Sequence, residues 1–261
     1  MASVLRFVSA YTPPIRLFVD SDLVKGATLS LDREQSHYLG HVMRRSAGDR
    51  LEIFNGRTDS FIAELTDISR KSASVQLVEL CSDFKTSPDL WFLFAPVKRT
   101  RLDFMAQKAT ELGVRHIQPV NTDYCQVSRV KQDRLSANAI EAAEQTGRLD
   151  VPSVGPFLPL HQILAEWPAD RHLIFCDEAL SADNQIAPLA QLQSKPIAKA
   201  GLLIGPEGGF SDAERDHIRQ MSLVCPLSLG PRILRSDTAA LAALSLFQAV
   251  WGDWSVSGLD Q

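Results

Sequence analysis

From residue 89 onward, apolar segments of strand length alternate with longer segments that have the spacing of a helix. Residues 90–97 are the first such strand and residues 100–114 the first helix. This alternation favours a parallel sheet with helices packed on its faces. The strand at 200–205 is apolar throughout, as in sheets that are buried on both faces. The sequence therefore predicts an α/β domain over residues 89–261.

The first 81 residues follow a different pattern, in which short strands with alternating polar and apolar residues dominate. Such strands are predicted at 5–8, 16–20, 50–56, 60–68 and 74–80, and residues 32–45 are predicted as a helix. Asn55-Gly56 is a strong hairpin signal. Because an open sheet of short strands would leave its edges unpaired, we expect a small β-barrel domain over residues 1–81. Residues 82–89 are the predicted linker.

Composition excludes several classes of protein. With 45% hydrophobic and 22% charged residues, the 261-residue chain can bury a full core and is not a disordered or fibrous protein. The four cysteines form no C-x-x-C pair and have no histidines at zinc spacing, which disfavours a disulfide scaffold and a metal site. His37 and His41 are four residues apart but lack the glutamate of H-E-x-x-H, so we expect them to have surface or core roles.

The N-terminal residues and the charge distribution bear on location and partners. No basic start followed by a long apolar run is visible, and no stretch approaches eighteen uncharged apolar residues, so we expect a cytoplasmic protein. The formal net charge is −4, which does not indicate nucleic-acid binding by the molecule as a whole. Residues 98–148, however, carry nine Lys/Arg against six Asp/Glu. Any contact with a nucleic acid is therefore expected to be local.

The most informative motif is the loop 205–209, Gly-Pro-Glu-Gly-Gly, which joins a predicted buried strand to a helix. Ser211 and Glu214 have the spacing of a capping box, which already specifies the helix start. The glycines therefore favour close backbone approach to a ligand, with a tight structural turn as the alternative. The spacing differs from G-x-G-x-x-G and no Lys-Ser/Thr pair follows, which disfavours nicotinamide and nucleoside-triphosphate binding.

A second motif, residues 226–240, has two arginines between an apolar strand and an apolar helix. Arg232 and Arg235 need anions or carbonyl groups as partners there. A ligand is one interpretation, and pairing with Asp237 or a carbonyl is the other.

A third motif, residues 139–152, has Glu144 on a helix that ends near Gly147, followed by Arg148. A cation at a helix end is favoured by the helix dipole in any case, so Arg148 alone is weak evidence of function.

These motifs, together with residues 98–114, resemble the bacterial 16S rRNA uridine-N3 methyltransferases of the SPOUT superfamily over nearly the whole chain. The resemblance implies an N-terminal PUA-like β-barrel and a C-terminal SPOUT α/β domain whose parallel sheet contains a deep trefoil knot. It implies S-adenosylmethionine as the methyl donor, a specific uridine of 16S rRNA (uracil 1498 in the usual count) in the small ribosomal subunit as the acceptor, and no metal. A homodimer is also expected, since the apolar helix 238–254 must be buried all round or shared with another subunit.

The resemblance also implies a cofactor site made of three loops, which act largely through backbone groups. The expected cofactor residues are Phe175, Asp177, Leu203, Ile204, Gly205, Glu207, Gly208, Gly209, Leu229, Gly230, Ile233, Leu234, Arg235 and Thr238. The family often has a Ser-Glu-Arg-like sequence after the second strand, where this chain has Thr122-Asp123-Tyr124.

The chemistry assigns roles to a few polar residues. Uracil N3 is protonated at neutral pH and is a poor nucleophile until the proton leaves. Arg235 is the first candidate, and Arg232 the second, to stabilise the negative charge that then spreads over O2 and O4. Glu144 is a candidate general base by analogy alone.

The RNA must present an exposed nucleotide to reach the cofactor. The candidate RNA contacts are Arg16, Lys98, Arg99, Arg101 and Arg148, with a solvated surface charge as the plain alternative. Two rival functions are a non-catalytic ribosome-binding or RNA-binding protein and a nicotinamide-dependent dehydrogenase. Cofactor-dependent methylation would exclude the first, and the late position of the glycine loop disfavours the second.

Overall fold

The computed structural model describes residues 15–69, 71–97, 99–177 and 197–254. The chain forms two compact units, Met1–Lys85 and Thr86–Gln261. The strand predicted at 5–8 and the candidate RNA contact Lys98 lie outside the described residues.

The N-terminal unit contains one five-stranded sheet. Its strands are β1 (Arg16–Phe18), β2 (Thr28–Leu31), β3 (Arg50–Phe54), β4 (Ser60–Ile68) and β5 (Ala73–Ser82), hydrogen-bonded in the order β1-β3-β4-β5-β2. β1 and β3 are parallel and the other neighbours are antiparallel. The predicted strands at 16–20, 50–56, 60–68 and 74–80 are confirmed, while β2, only four residues long, is missed by the sequence pattern. Closure of this sheet into a barrel stays a prediction.

The turn between β3 and β4 is built around Asn55, as the hairpin signal predicts. The Asn55 side-chain oxygen accepts hydrogen bonds from the backbone amides of Arg57 and Thr58 at 3.1 and 3.0 Å. Gly56 has a φ of +80°, a conformation that residues with a Cβ rarely adopt. The local sequence therefore specifies how β3 returns as β4.

The predicted helix 32–45 is shorter than expected and changes type. It begins as α1 (Arg33–His37), with Asp32 and Gln35 forming a capping box, and continues as a π-helical turn over Tyr38–Val42. Leu39 in this turn packs into the core of the unit. The helix thus serves as a cover for one side of the sheet.

The C-terminal unit contains a parallel sheet, as predicted. Its strands are β6 (Asp89–Phe94), β7 (His116–Asn121), β8 (Ser153–Val154), β9 (Leu158–Pro159), β10 (His172–Cys176), β11 (Lys199–Ile204) and β12 (Val224–Leu227). The order is β12-β10-β11-β6-β7-β8, with β9 paired to β7, and every pair is parallel. The described helices are α2 (Arg99–Glu111), α3 (Gln132–Thr146), α4 (Leu160–Ala165), α5 (Asp212–Arg219) and α6 (Ser236–Val250).

Both faces of this sheet are buried, which explains why its central strands are almost continuously apolar. On one face, Leu202 and Ile204 of β11 pack in a core with α2 and α6. On the other face, Leu203 packs with Phe175 and Phe210. Because successive side chains of a strand point to opposite faces, one apolar run supplies both cores.

Within the part of the chain that the structure describes, no helix is long and apolar enough to span a bilayer.

Candidate active site

The C-terminal unit has a cleft at the carboxyl ends of β10, β11 and β12, the edge at which parallel sheets bind ligands. The cleft has an empty volume of about 610 Å³, part of which is open to solvent. Its lining comes from the three segments that follow these strands: Cys176, Asp177, Ile204, Gly205, Pro206, Glu207, Leu227, Leu229, Gly230, Arg232, Ile233, Leu234, Ser236 and Ala239.

Most of the expected cofactor residues meet in this cleft. Eight of them line it: Asp177, Ile204, Gly205, Glu207, Leu229, Gly230, Ile233 and Leu234. The walls expose apolar side chains and nearly as much polar surface, to which Asp177, Glu207 and Arg232 belong. The arrangement suits a ligand with an apolar ring system and several hydrogen-bonding groups.

Glycine is sterically required at Gly205. A Cβ at this position would lie 2.7 Å from Cε2 of Phe210, whose ring is fully buried against Phe175. The backbone of the loop can therefore run directly over the Phe210 ring and leave the cleft side open. Gly230, by contrast, has open space around it but a φ of +100°, so its glycine is required by backbone conformation.

Gly208 and Gly209 complete the loop without lining the cleft. The Gly209 amide donates to the Pro206 carbonyl at 2.9 Å, which closes a tight turn, and Gly209 has a φ of +69°. The plain turn interpretation therefore accounts for Gly209, whereas Gly205 faces the cleft. The loop combines both uses of glycine.

Phe175 and Leu203 have fully buried side chains in the core on the face opposite the cleft-lining side chains of Cys176 and Ile204. Any contact of theirs with a cofactor would have to come from the backbone. Thr238 is exposed on the first turn of α6 and does not line the cleft. Their cofactor contacts stay predictions.

A buried carboxylate joins the cleft to helix α5. The Asp177 side chain is fully buried and is held by Arg215 Nε at 3.2 Å and by an Arg219 guanidinium nitrogen at 3.2 Å. A buried charge needs such partners, since a lone carboxylate would be strongly destabilising. The two arginines thus fix the end of β10 where it enters the cleft.

Arg101 bridges two of the cleft segments, and its contact with RNA stays a prediction. Its guanidinium lies 3.3 Å from a carboxylate oxygen of Glu207 and 3.6 Å from one of Asp237. It therefore connects α2 with the glycine loop and with the first turn of α6. The pairing of Asp237 with Arg232 or Arg235 that the sequence left open is not found among the described ion pairs.

Ser236 and Cys176 differ in what they offer a ligand. Ser236 Oγ is buried in the cleft wall and has no hydrogen-bond partner within the described structure. Burial raises the pKa of the Cys176 thiol, with a smaller contribution from nearby Cys225. Cys176 is therefore a neutral, weakly nucleophilic part of the wall, whereas Ser236 is a ready hydrogen-bonding group.

Arg232 and Arg235 belong to the segment that joins β12 to α6. Both are exposed, and Arg232 lines the cleft while Arg235 is the N-cap residue of α6. Ile233 between them is 86% exposed. An isoleucine and two arginines presented to solvent in this segment form a surface that a larger ligand can cover.

The third motif is not in this cleft. Glu144 is half-buried on α3 and does not line the cleft. Arg148 is held by Asp150 at 2.9 Å and donates to the Thr110 carbonyl at 2.6 Å. Burial tends to raise the pKa of Asp150, but Arg148 and the hydrogen bonds from Ser87 together hold it below its usual value. Arg148 thereby has a structural role, and RNA contact stays a prediction for it.

Arg16 and Arg99 also await a test of RNA contact. The Arg16 side chain is only 8% exposed, is paired with Glu52 at 3.0 Å and lies over the ring of Phe54, 4.5 Å from its centroid. It therefore contributes to the packing of the N-terminal unit. Arg99 begins α2, and its side chain lies outside the described part of the structure.

Several residues of the site escape sequence reasoning. Leu227, Ser236 and Ala239 line the cleft, and Arg215 and Arg219 secure it from α5. The four-residue spacing of the two arginines puts them on one helix face, which is a signal of a shared partner. Nothing in the sequence indicates that this partner is Asp177.

The chain is similar to known proteins over both of its units. The family model described as an RNA methyltransferase domain matches residues 85–248, and the model described as an RNA methyltransferase PUA domain matches residues 31–78. Ribosomal RNA small subunit methyltransferase E of Synechocystis sp. is 32% identical over 94% of this chain and 79% of its own length. The protein of the same name from Bacillus subtilis is 30% identical over 88% of this chain and 94% of its own length.

Two solved structures are also similar over most of the chain. Ribosomal RNA small subunit methyltransferase E from Neisseria gonorrhoeae, bound to S-adenosyl methionine, has a TM-score of 0.81 and 27% identity, covering 93% of this chain and all of that one. A Legionella pneumophila methyltransferase in complex with the bound cofactor SAM has a TM-score of 0.80 and 31% identity, with the same coverage.

Proposed function

Since this chain belongs to the RNA methyltransferase family that includes the ribosomal RNA small subunit methyltransferases E, we propose that it transfers a methyl group from S-adenosylmethionine to N3 of one uridine of 16S rRNA. The acceptor is the uridine counted as 1498, in the small ribosomal subunit. The observation that carries the proposal is the cleft at the carboxyl ends of β10, β11 and β12.

The donor set of the cleft fits S-adenosylmethionine. Ile204, Leu227 and Leu229 supply apolar surface for an adenine ring, and the glycine loops bring backbone groups close to the cleft. Ser236 Oγ, which is buried and has no hydrogen-bond partner among the described residues, is placed to hydrogen-bond a polar group of the cofactor. The carboxylate of Glu207 at the rim is compatible with a positively charged sulfonium and would repel a pyrophosphate.

When bound, the cofactor supplies an electrophilic methyl group. The chain's own residues then have two tasks, which are to hold the uracil close to that methyl group and to favour loss of the N3 proton. Alignment of this kind can lower the activation barrier by roughly 7–11 kcal/mol. Arg235, with Arg232 beside it, stabilises the negative charge that develops on O2 or O4 of the uracil.

The group that takes the N3 proton is proposed to be Glu144, by analogy with the family. Glu144 does not line the cleft within one chain. To take the N3 proton it would have to reach the uracil from the partner subunit of a homodimer, or receive the proton by way of the bound RNA. Asp237 is a weaker candidate because Arg101 already lies 3.6 Å from its carboxylate.

We also propose a homodimer, in which half-buried apolar residues of α6 such as Leu241, Leu246 and Val250 lie near the partner. The N-terminal sheet closes into a PUA-like barrel that contacts RNA, and the catalytic unit contains a deep trefoil knot around the cofactor loops. Sedimentation equilibrium at micromolar concentration tests the dimer.

Transfer of tritium from labelled S-adenosylmethionine to small ribosomal subunits that lack the modification tests the function. Nuclease digestion and nucleoside mass spectrometry should then detect 3-methyluridine. A different methylated nucleoside would refute the N3 assignment. Cofactor binding without any transfer would favour the non-catalytic ribosome-binding alternative.

A further inference from the structure

The segment that follows β7 forms a turn with an exposed aromatic ring at its apex. The amide of Cys125 donates to the carbonyl of Thr122 at 3.0 Å, which places Asp123 and Tyr124 at the corners of the turn. The Tyr124 side chain is 52% exposed. Because β7 is parallel to β6 and β11, this turn lies at the same edge of the sheet as the cofactor cleft.

The turn is fixed to helix α5 by hydrogen bonds. The Asp123 amide donates to Glu214 Oε1 at 2.9 Å, and Ser211 Oγ donates to Asp123 Oδ2 at 2.5 Å. Ser211 and Glu214 are also the two members of the α5 capping box. The backbone that carries Tyr124 is therefore positioned before any ligand arrives.

Tyr124 also packs directly on the glycine loop. A Cβ at Gly208 would lie 3.3 Å from the Tyr124 Cβ and 3.7 Å from its ring atoms, so the ring rests beside Gly208. The preceding residue, Glu207, lines the cleft. The exposed part of the ring is thus held within one residue of the cofactor site.

We propose that Tyr124 is a base-stacking residue, whose ring supports an unpaired base of the RNA substrate beside the cofactor cleft. This inference rests on the proposed function, since it assumes that the ligand is RNA. Exposed, rigid aromatic rings are effective platforms for unpaired bases because every base has a π-face. A tyrosine loses little conformational entropy when it binds, and here the turn has already restricted it.

The test compares two substitutions of Tyr124. They distinguish stacking of the ring on an RNA base from packing of an apolar side chain on Gly208. Tyr124→Phe keeps the aromatic face, whereas Tyr124→Leu keeps an apolar cover without one. We expect Tyr124→Leu to weaken binding of unmodified small ribosomal subunits by about tenfold or more, and Tyr124→Phe to retain most of the affinity. The same split is expected in KM for the subunit, with a smaller effect on kcat.

Binding is measured as Kd in the presence of S-adenosylhomocysteine, so that it does not depend on turnover. Isothermal titration of S-adenosylhomocysteine alone should give similar Kd values for both variants, which shows that the cofactor loop is intact. Trp254→Leu is the matched control, because Trp254 is also about half exposed (51%) but follows the C-terminal end of α6.

Equal Kd values for the Phe and Leu variants would overturn the stacking role. A wild-type protein that binds subunits but transfers no methyl group would refute the proposed function, while the difference between Phe and Leu would still decide the stacking role. A wild-type protein that does not bind subunits would refute both.

Discussion

Arg235 and Ser236 are adjacent in the chain, yet their environments differ sharply. Ser236 is buried in the cleft wall, whereas Arg235 is exposed at the N-cap of α6. An exposed arginine beside an apolar cleft adds little to the stability of the fold, but it is available to a negatively charged group of a ligand. At the residue scale, groups that form the wall of the cleft, such as Ser236, are therefore distinct from groups that are exposed to solvent, such as Arg235.

We expect Arg235→Ala to lower kcat for methyl transfer by about 10²- to 10³-fold, since one donor to a developing oxyanion typically contributes about 3–4 kcal/mol. The midpoint of thermal unfolding should change little. Lys199→Ala is a matched loss of one cation, because Lys199 is exposed and paired with Asp170 at the opposite edge of the sheet. Near-normal kcat in a well-folded Arg235→Ala protein would contradict the catalytic role.

Helices α1 and α5 both begin with a capping box, but they belong to different units of the chain. Ser211 and Glu214 cap α5 beside the cleft, and Asp32 and Gln35 cap α1 in the N-terminal unit. Only the α5 box also holds the turn that carries Tyr124, through Asp123. The same capping-box signal in the sequence thus marks a helix start that contacts the Tyr124 turn in α5, but not in α1.

Loss of each cap should have a similar effect on stability and a different effect on function. Ser211→Ala and Asp32→Ala are each expected to lower the free energy of unfolding by about 1 kcal/mol. Ser211→Ala should in addition weaken binding of small ribosomal subunits, because the Tyr124 turn loses an anchor. Urea unfolding and subunit binding are the measurements, and equal subunit affinities in the two variants would argue against the coupling.

His116 on β7 makes the stability of the sheet depend on pH. Burial lowers the pKa of His116 and outweighs the opposing hydrogen bond to Gln118, with a further lowering by the charge of Arg171. The unfolded chain therefore takes up a proton at a pH where the folded chain does not. Stability from this group is complete above the unfolded pKa of about 6.5 and is lost as the pH falls toward the folded value.

We expect the free energy of unfolding to decrease between pH 7.5 and pH 5.5, and to decrease less in His116→Gln. Glutamine cannot be protonated in this range but keeps a side chain that can hydrogen-bond to Ser153, as the His116 ring does at 2.8 Å. Urea unfolding followed by circular dichroism provides the comparison. Identical pH slopes for the two proteins would show that His116 does not titrate on unfolding.

At the scale of the whole molecule, unfolding of one of the two compact units can be followed by its own spectroscopic signal. All four tryptophans, Trp91, Trp167, Trp251 and Trp254, belong to the unit Thr86–Gln261. Their fluorescence therefore reports on the unit that contains the cleft, whereas circular dichroism reports on both units.

S-adenosylhomocysteine should stabilise the tryptophan-containing unit. At a free concentration of 100 times its Kd, it is expected to raise the free energy of unfolding by about 2.7 kcal/mol. The urea midpoint from tryptophan fluorescence should rise accordingly. A midpoint that does not move at saturating ligand would contradict the assignment of the cleft to the cofactor.

Much of the architecture could be predicted because its signals are local. The apolar run of β11, the Asn55 turn and the α5 capping box are each written in a few consecutive residues. Glycine loops at the ends of strands likewise identify the cleft, since parallel strands place their carboxyl ends at one edge.

The chain by itself determined the alternation of strands and helices, the glycine loops and the family likeness, because these depend on order along the sequence. Only the tertiary structure decided that Cys176 and Ile204, besides packing in the core on one face of the sheet, line the cleft, while Phe175 and Leu203 pack in the core on the other face. It also paired Asp177 with Arg215 and Arg219, and Arg101 with Glu207 and Asp237. The partners in these pairs are 38 residues or more apart in the chain, so only the packing of the sheet and helices brings them together.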